Sequence, residues 1–460
     1  MIIKTIPSTW LIEAEHRLDC GPFVKGGVEA RKTIENLRYP KNRLVDLTLD
    51  GINGMYHVGQ DKIVWAENGA VGVPFLRSSD ILKADLSNQP FISRDQVAEN
   101  YLFQCPRGTT LITRSGTIGR MAYMRSDMEK MAISQDVLKV VPDQQRVKAG
   151  FLFAFLKSKY GIPIVTGGTF GSIIVHIEAE NIADLPVPRL GDVEDQVHKL
   201  VEEAANLRVE ATEQIKSAVV EFSLFSQGSE RRYVPPRIGL VLASELQSRM
   251  DAAYHDTSAS KIRKSILSGR HARIGDMCSG VFLPGIFKRI YAEDVRYGAY
   301  YHSAASVFSI SPSPKAILSR KSNCFEEVLL SEGTVLIQGF GQEDGLIGRT
   351  AWVGKNLHGS ATTHMFVRLN AHDERLAGYL FAFLSSEAGY ALLTKLPYGG
   401  SIPHLNASQV ADMPIPLLDD HLMDRVSALI LKANKNRDHA IDLENEASAI
   451  VEHTIAGGAR

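Results

Sequence analysis

The chain has 460 residues, enough for two or three domains that each bury a core, and its four cysteines (Cys20, Cys105, Cys278, Cys324) lack the Cys-x-x-Cys spacing of a zinc site or a disulfide framework. A formal charge of −1 excludes a uniformly basic polyanion binder. The opening Met1-Ile-Ile-Lys-Thr-Ile-Pro7 has no charged region followed by an apolar core, and no run approaches the ~20 apolar residues of a bilayer span, so a reducing cytoplasm is expected.

Residues 1–190 read as a first globular domain, mixed but β-rich. Apolar runs at 62–66, 73–76 and 110–113 are bounded by Gly, Pro, Asn or Ser, which is strand and turn chemistry. Residues 149–160 gather aromatic and Leu side chains, and predict a short amphipathic helix stopped by Gly161. A long helix is expected over 191–228, with Asp192 as N-cap. Its apolar positions Val193, Val197, Leu200, Ala204, Leu207, Ala211, Ile215, Ala218, Phe222 and Phe225 recur at heptad spacing with one stutter at Ala211. The stretch Tyr233-Val-Pro-Pro-Arg237 reads as a linker.

A second domain is expected over 229–418, and its early part is basic. Lys261, Arg263, Lys264, Arg270 and Arg273 follow one another with no acid between them, a pattern that fits either phosphate contact or a solvated helix face. A second long helix fills 419–460 on the heptad Leu422, Val426, Leu429, Ala433, Asn436, Ala440, Leu443, Ala447, Ile450 and Thr454. Its one polar seam residue, Asn436, either fixes alignment with a partner helix or turns to solvent. Helices of this length extend roughly 50 Å. Paired antiparallel as a coiled-coil spacer with one domain at each end, they would give an α+β dumbbell with a pseudo-two-fold axis.

That symmetry is written into the sequence. Ala149-Gly-Phe-Leu-Phe-Ala-Phe-Leu-Lys-Ser158 and Ala377-Gly-Tyr-Leu-Phe-Ala-Phe-Leu-Ser-Ser386 agree at eight of ten positions with a shift of 228. Both segments continue through Gly-Ser-Ile (171–173 and 400–402) to His176 and His404, and end in Asp184-Leu-Pro-Val-Pro188 and Asp412-Met-Pro-Ile-Pro416. Upstream, Gly108-Thr-Thr-Leu-Ile leads to Gly119-Arg120 as Gly333-Thr-Val-Leu-Ile leads to Gly348-Arg349. Arg17-Leu-Asp19 answers Arg249-Met-Asp251, and Arg43-Leu-Val-Asp46 answers Arg273-Ile-Gly-Asp276. Two copies of one unit, a globular domain followed by a helix, set the architecture.

Charge divides along the same lines. Residues 192–225 hold eight acids against three bases, and residues 419–454 hold eight against four, so the two helices carry −5 and −4 and the rest of the chain +8. Globular parts that meet a polyanion, carried on helices that do not, would show this distribution.

On these cues the sequence resembles the specificity (S) subunits of type I restriction-modification enzymes. The carriers are the paired Arg-Leu-Asp and Arg-Met-Asp, the Gly-Thr-x-Leu-Ile segments with their Gly-Arg turns, and the two Asp-x-Pro-x-Pro endings. Glu194-Asp-Gln196 matches the family's helix opening, whereas the second copy has Asp419-Asp-His421. The resemblance implies two target-recognition domains that each read half of a bipartite, asymmetric site in double-stranded DNA. It also implies helices that measure the gap and dock two methyltransferase (M) subunits, through which restriction and translocation (R) subunits join. The candidate DNA-contacting residues lie in the shared turns: Arg114, Ser115, Thr117, Arg120, Thr166, Thr169, Ser172 and His176 in the first copy. Gln338, Gln342, Arg349, Lys395, Tyr398, Ser401 and His404 stand in the second, with Lys261, Arg263 and Lys264 for phosphate. Equally, the glycines could build tight turns whose polar neighbours serve the backbone.

No catalytic constellation accompanies these cues. The chain has no Gly-x-x-x-x-Gly-Lys-[Ser/Thr] loop, and Pro235-Pro236 follows Tyr233-Val234, unlike the Asn-Pro-Pro-Tyr of amino-methyltransferases. Pro142-Asp143 lacks the second acid that a metal-dependent nuclease uses. His176 and His404 have no ligand-spaced Cys, Asp or Glu on their own element. The expectation is a non-catalytic subunit without cofactor or metal; a related phage-defence methylation system, an interaction scaffold or an unrecognised enzyme are the alternatives.

Overall fold

The computed structural model describes residues 5–13, 21–24, 26–167, 176–226, 241–243, 246, 249–251, 254–255, 257–342 and 345–458. It is a mixed α+β structure that divides into unit 1, residues 1–209 with 439–460, and unit 2, residues 210–438. The division falls inside both long helices, Val193–Val219 and Asp420–Gly458, and not at their ends, where the sequence had placed it.

Unit 1 opens its sheet structure with a two-stranded clasp, β1 (Lys41–Arg43) antiparallel to β10 (Pro186–Pro188). An antiparallel sheet follows, in the order β2 (Met55–Tyr56), β9 (Val137–Val140), β6 (Thr110–Thr113), β7 (Met121–Tyr123). A mixed sheet runs β3 (Trp65–Ala66), β5 (Phe91–Ser93), β4 (Gly72–Leu76), β8 (Ala132–Ile133), its last pair parallel. The expected strand at 62–66 is therefore reduced to Trp65–Ala66, while those at 73–76 and 110–113 lie within β4 and β6.

Unit 2 has the same strand orders. β11 (His271–Arg273) clasps β20 (Pro414–Pro416). The antiparallel sheet runs β12 (Cys278–Phe282), β19 (Phe366–Ala371), β16 (Val335–Gln338), β17 (Thr350–Trp352), and the mixed sheet β13 (Tyr291–Ala292), β15 (Ala316–Ser319), β14 (Gly298–His302), β18 (Ala361–Thr362). Each clasp is tied by a matching set of charges, Arg43 with Asp46 and Asp184, and Arg273 with Asp276 and Asp412. Two of the sequence cues are thus one structural device: an arginine that joins its own strand to the Asp-x-Pro-x-Pro strand opposite.

The repeated Ala-Gly-aromatic-Leu segment forms the central helix of each core. In unit 1 it is Ala149–Lys157, and all its residues but the last are buried. In unit 2 it is the C-terminal part of Glu374–Ser385. Gly150 lets that helix touch the first long helix, since a Cβ there would lie 2.9 Å from His198 Cα. Gly378 does the same against the second long helix, where a Cβ would lie 2.5 Å from Ser427 Oγ. The helix does not run on to Gly161 as expected. Ser158 ends it and caps the next helix, Gly161–Gly167, by accepting from Gly161 N–H at 3.1 Å; Ser386 caps Glu387–Leu393 through Gly389 N–H at 3.2 Å. A serine that stops one helix and starts another is the last identical position of the ten-residue segments 149–158 and 377–386.

The long helices bury a wider face than a two-helix seam requires. Val426, Ala433, Ala440, Leu443 and Ala447 are buried as expected, but Met423, Ile430, Glu444 and Val451, each one residue beyond a heptad position, are buried as well. The extra face carries the contact with the globular helices, for example Lys157 Nζ on Glu444 at 2.6 Å. In unit 1 Ala204 packs with Ala440 and Leu443. In unit 2 Glu210 pairs with Lys432 and Glu221 with Arg425, so the helical segments there run in opposite directions. Asn436 is half-buried and its amide reaches Gln214 Oε1 at 3.5 Å, which is long for a hydrogen bond. The helix N-cap expected at Asp192 shows no side-chain bond; instead Glu194 accepts from Leu190 N–H at 2.8 Å and pairs with Arg189. The linker 233–237 and Arg17-Leu-Asp19 lie outside the described residues.

Candidate nucleic-acid interface

The β6–β7 hairpin turn of unit 1 is stitched from within. Thr113 Oγ1 donates to Thr117 O at 2.6 Å and accepts from Arg120 N–H at 3.0 Å, so the turn closes on a strand threonine. Gly119, at φ 77°, leaves no room for a Cβ beside Thr166 of the Gly161–Gly167 helix; Gly348, with the same φ, stands against Thr394 and Tyr390. The Gly-Arg cue is thus a left-handed position pressed on a helix in both units.

Several predicted contact residues are spent inside this framework. Arg114 is buried, donating to Ile177 O (3.2 Å) and Gln135 O (3.3 Å) and pairing with Glu178, which also meets His57 Nε2 at 3.1 Å. Ser115 Oγ donates to Asp136 at 2.7 Å, and Thr166 Oγ1 to Ile162 O at 2.8 Å. Gln338 is buried, with Nε2 on Phe340 O at 2.8 Å and Oε1 lacking a described partner. Arg349 lies over the Tyr390 ring, 4.5 Å from its centroid, and Lys395 is half-buried. Arg114 and Gln338 are thus turned into the core, whereas Ser115, Thr166, Arg349 and Lys395 are only partly buried.

Others stand in solvent. Thr117, Arg120 and His176 of unit 1 are exposed, as are Gln342, Tyr398 and Ser401 of unit 2. In unit 2 the hairpin after β16 and the 398–405 loop are joined edge to edge: Gly341 N–H to Pro403 O at 3.2 Å, Gln342 Nε2 to Ser401 O at 3.2 Å, and Leu405 N–H to Gly339 O at 2.8 Å. His404 sits between aromatic rings, stacked on Phe340 with centroids 5.5 Å apart and 4.1 Å from Tyr398. It is a wedge that fixes both loops. Phe340 also meets His364, whose ring is held below the ordinary histidine value by burial and then by the Arg289 charge. Lys261, Arg263 and Lys264 are exposed on the Thr257–Leu267 helix. Thr169 and Ser172 lie outside the described residues.

The sequence reading missed the mixed sheets. Val64-Trp-Ala-Glu-Asn68 and Ile290-Tyr-Ala-Glu-Asp294 repeat at a shift of 226, not 228, and so escape an alignment built on the helix segments. Their aromatic residues are exposed in both units, Trp65 at 59% and Tyr291 at 50%.

No protein-family model matches the chain, and no curated protein does. Solved structures are similar to it. The S subunit of a type I restriction-modification system from M. genitalium aligns with a TM-score of 0.35 and 11% identity over 91% of this chain and 96% of that one. The HsdS subunit from Thermoanaerobacter tengcongensis aligns at 0.27 and 13% over 91% and 97%. A chain from a structure on the assembly and conformational transition of the type I R-M system aligns at 0.28 and 14%, again over 91% and 97%. All three come from type I restriction-modification systems.

Proposed function

We propose that this chain is the DNA sequence-recognition subunit of a type I restriction-modification complex, arisen by internal duplication. Each copy reads one half of a bipartite, asymmetric target. The long helices set the gap between the halves and present acidic faces to two methyltransferase subunits, which bring in the restriction and translocation subunits. The chain itself is non-catalytic and works in the cytoplasm. Methyl transfer and cleavage belong to its partners.

The observation that carries this reading is the doubled cue set. The same arginines, aspartates, hairpin turns and serine caps recur twice in one order, and each set supports a unit with the same strand orders. A single-site enzyme has no use for two such frames that differ in their loops. In this reading Thr117, Arg120 and His176 face one half-site, Gln342, Tyr398 and Ser401 face the other, and Lys261, Arg263 and Lys264 meet phosphate.

The test is the methylome of a strain carrying this gene with its neighbouring methyltransferase gene. Modification at a split motif with a fixed gap, lost when this gene is deleted, is expected. Methylation unaltered by the deletion would end the proposal.

A further inference from the structure

The mixed sheets hold a match between the units that the cue residues do not explain. In unit 1, Val64, Trp65 and Val71 are 54%, 59% and 60% exposed; their equivalents at a shift of 226, Ile290, Tyr291 and Tyr297, are 40%, 50% and 64% exposed. The backbone beneath is in the same register. Trp65 faces Ile92 as Tyr291 faces Leu318, Ser93 N–H meets Val64 O at 2.8 Å as Ser319 N–H meets Ile290 O at 2.8 Å, and Arg94 N–H meets Val71 O as Arg320 N–H meets Tyr297 O. Large apolar side chains left in water forgo the burial that stabilises a fold. Three of them at the same three places of both units form a surface shaped for an occupant, where scattered exposure would need no explanation.

The charge around these triads names the occupant. On the unit 2 sheet and its connecting turns, Lys288, Lys315, Arg320 and Lys321 are exposed, and none forms an ion pair with a described residue. Arg296 is held by Asp294, and Arg289 by the Tyr301 hydroxyl at 2.8 Å. Tyr300, 48% exposed, adds a further ring. Cations outside ion pairs, interleaved with exposed tyrosines, suit phosphates and the apolar faces of bases and sugars. In unit 1 the flanking cation Arg94 is turned onto the carbonyl of Gly69 at 2.9 Å, and Asp61 and Glu67 outnumber Lys62. A protein strand added at this edge is the weaker fit, because β3 and β13 offer only two residues each as a template.

Resting on the DNA-recognition reading above, we infer that the β3 edge of unit 1 and the β13 edge of unit 2 are surfaces that meet double-stranded DNA, apolar contact dominating in unit 1 and phosphate contact in unit 2. Unit 2 then supplies most of the salt-sensitive affinity.

The experiment uses the full-length chain and a fluorescein-labelled duplex of random sequence, titrated across a series of KCl concentrations. Lys288→Ala with Lys321→Ala is expected to weaken binding and to flatten the plot of log affinity against log salt by about 1 to 2, near 0.9 for each phosphate no longer neutralised. In a second arm, DNA is expected to quench the tryptophan emission of the wild type and to leave that of Trp65→Phe largely unchanged. Melting temperatures equal to wild type keep a loss of fold apart. An unchanged salt slope in the double variant overturns the unit 2 assignment, and undiminished quenching in Trp65→Phe overturns that of unit 1, while the recognition reading stands. Variants that keep wild-type DNA binding but no longer bind the methyltransferase subunits would make these edges protein docking surfaces, which also overturns the inference. A wild-type chain with no salt-dependent duplex affinity would remove both the inference and the reading beneath it.

Discussion

At position 139 the two units solve the same problem with different success. Lys139 on β9 is fully buried, its Nζ has no described hydrogen-bond partner, and it lies 5.5 Å from the centre of the Tyr56 ring. The matching residue of unit 2, Arg368 on β19, is as deeply buried but donates to Val328 O (3.0 Å) and Leu329 O (2.6 Å). In unit 1 the carbonyl equivalent to Leu329, that of Gln104, is taken by the Tyr56 hydroxyl at 3.0 Å. Burial pushes Lys139 down to about 8 from 10.5. A base with a depressed folded value destabilises fully below that value, because only the unfolded chain then holds its proton at no cost, and the penalty fades as pH climbs toward 10.5. The shift corresponds to a penalty on the order of 3 kcal/mol at neutral pH. Lys139→Met is therefore expected to raise the urea midpoint near pH 7 and to remove most of the gain in stability that the wild type shows between about pH 8 and 10. A variant no more stable than wild type at neutral pH would mean that the ammonium finds a partner, such as water, in solution.

Among elements, the seat of the long helices depends on small residues and one buried carboxylate. Glu444 is 5% exposed and accepts from both Lys157 and Arg208, so its loss would remove the buried carboxylate that these two cations share. Glu444→Gln should cost about 3 to 5 kcal/mol in chemical denaturation, the range for breaking a buried pair from one side. Arg273→Ala, by contrast, opens exposed pairs to Asp276 and Asp412 and should leave the melting temperature nearly unchanged, although the sequence singles it out as a cue. The element level is also where the sequence was most and least legible. Strand β6 and the 149–157 helix follow from apolar runs and their flanks, and both long helices follow from periodicity. The helix faces did not, because a heptad describes burial against one neighbour and these helices have two. The recognition residues were legible as turns but not as surfaces. Arg114 and Gln338 looked like base readers by type, yet their backbones sit at strand ends where the core, not solvent, receives the side chain.

At the scale of the whole chain, the proposal of one half-site per unit is testable by exchanging residues 1–190 for the corresponding domain of another specificity subunit. Such an exchange keeps the helical segment that follows, and in unit 1 that segment is met by the Ala149–Lys157 helix at Gly150. Its N–H donates to His198 Nδ1 at 3.1 Å, and a Cβ would stand 2.9 Å from His198 Cα and O. Backbone atoms cannot yield as a flexible side chain does, so the incoming domain needs glycine at this position. A chimera that has it is expected to fold and, with the methyltransferase subunits, to methylate a site changed in one half with the other half unaltered. Its Gly→Leu counterpart should be insoluble or melt well below the parent, on the order of 3 kcal/mol or more less stable, because overpacking against a fixed helix displaces both partners. If the glycine-bearing chimera folded and both half-sites changed together, the assignment of one half to each unit would be wrong, whatever the fate of the leucine variant.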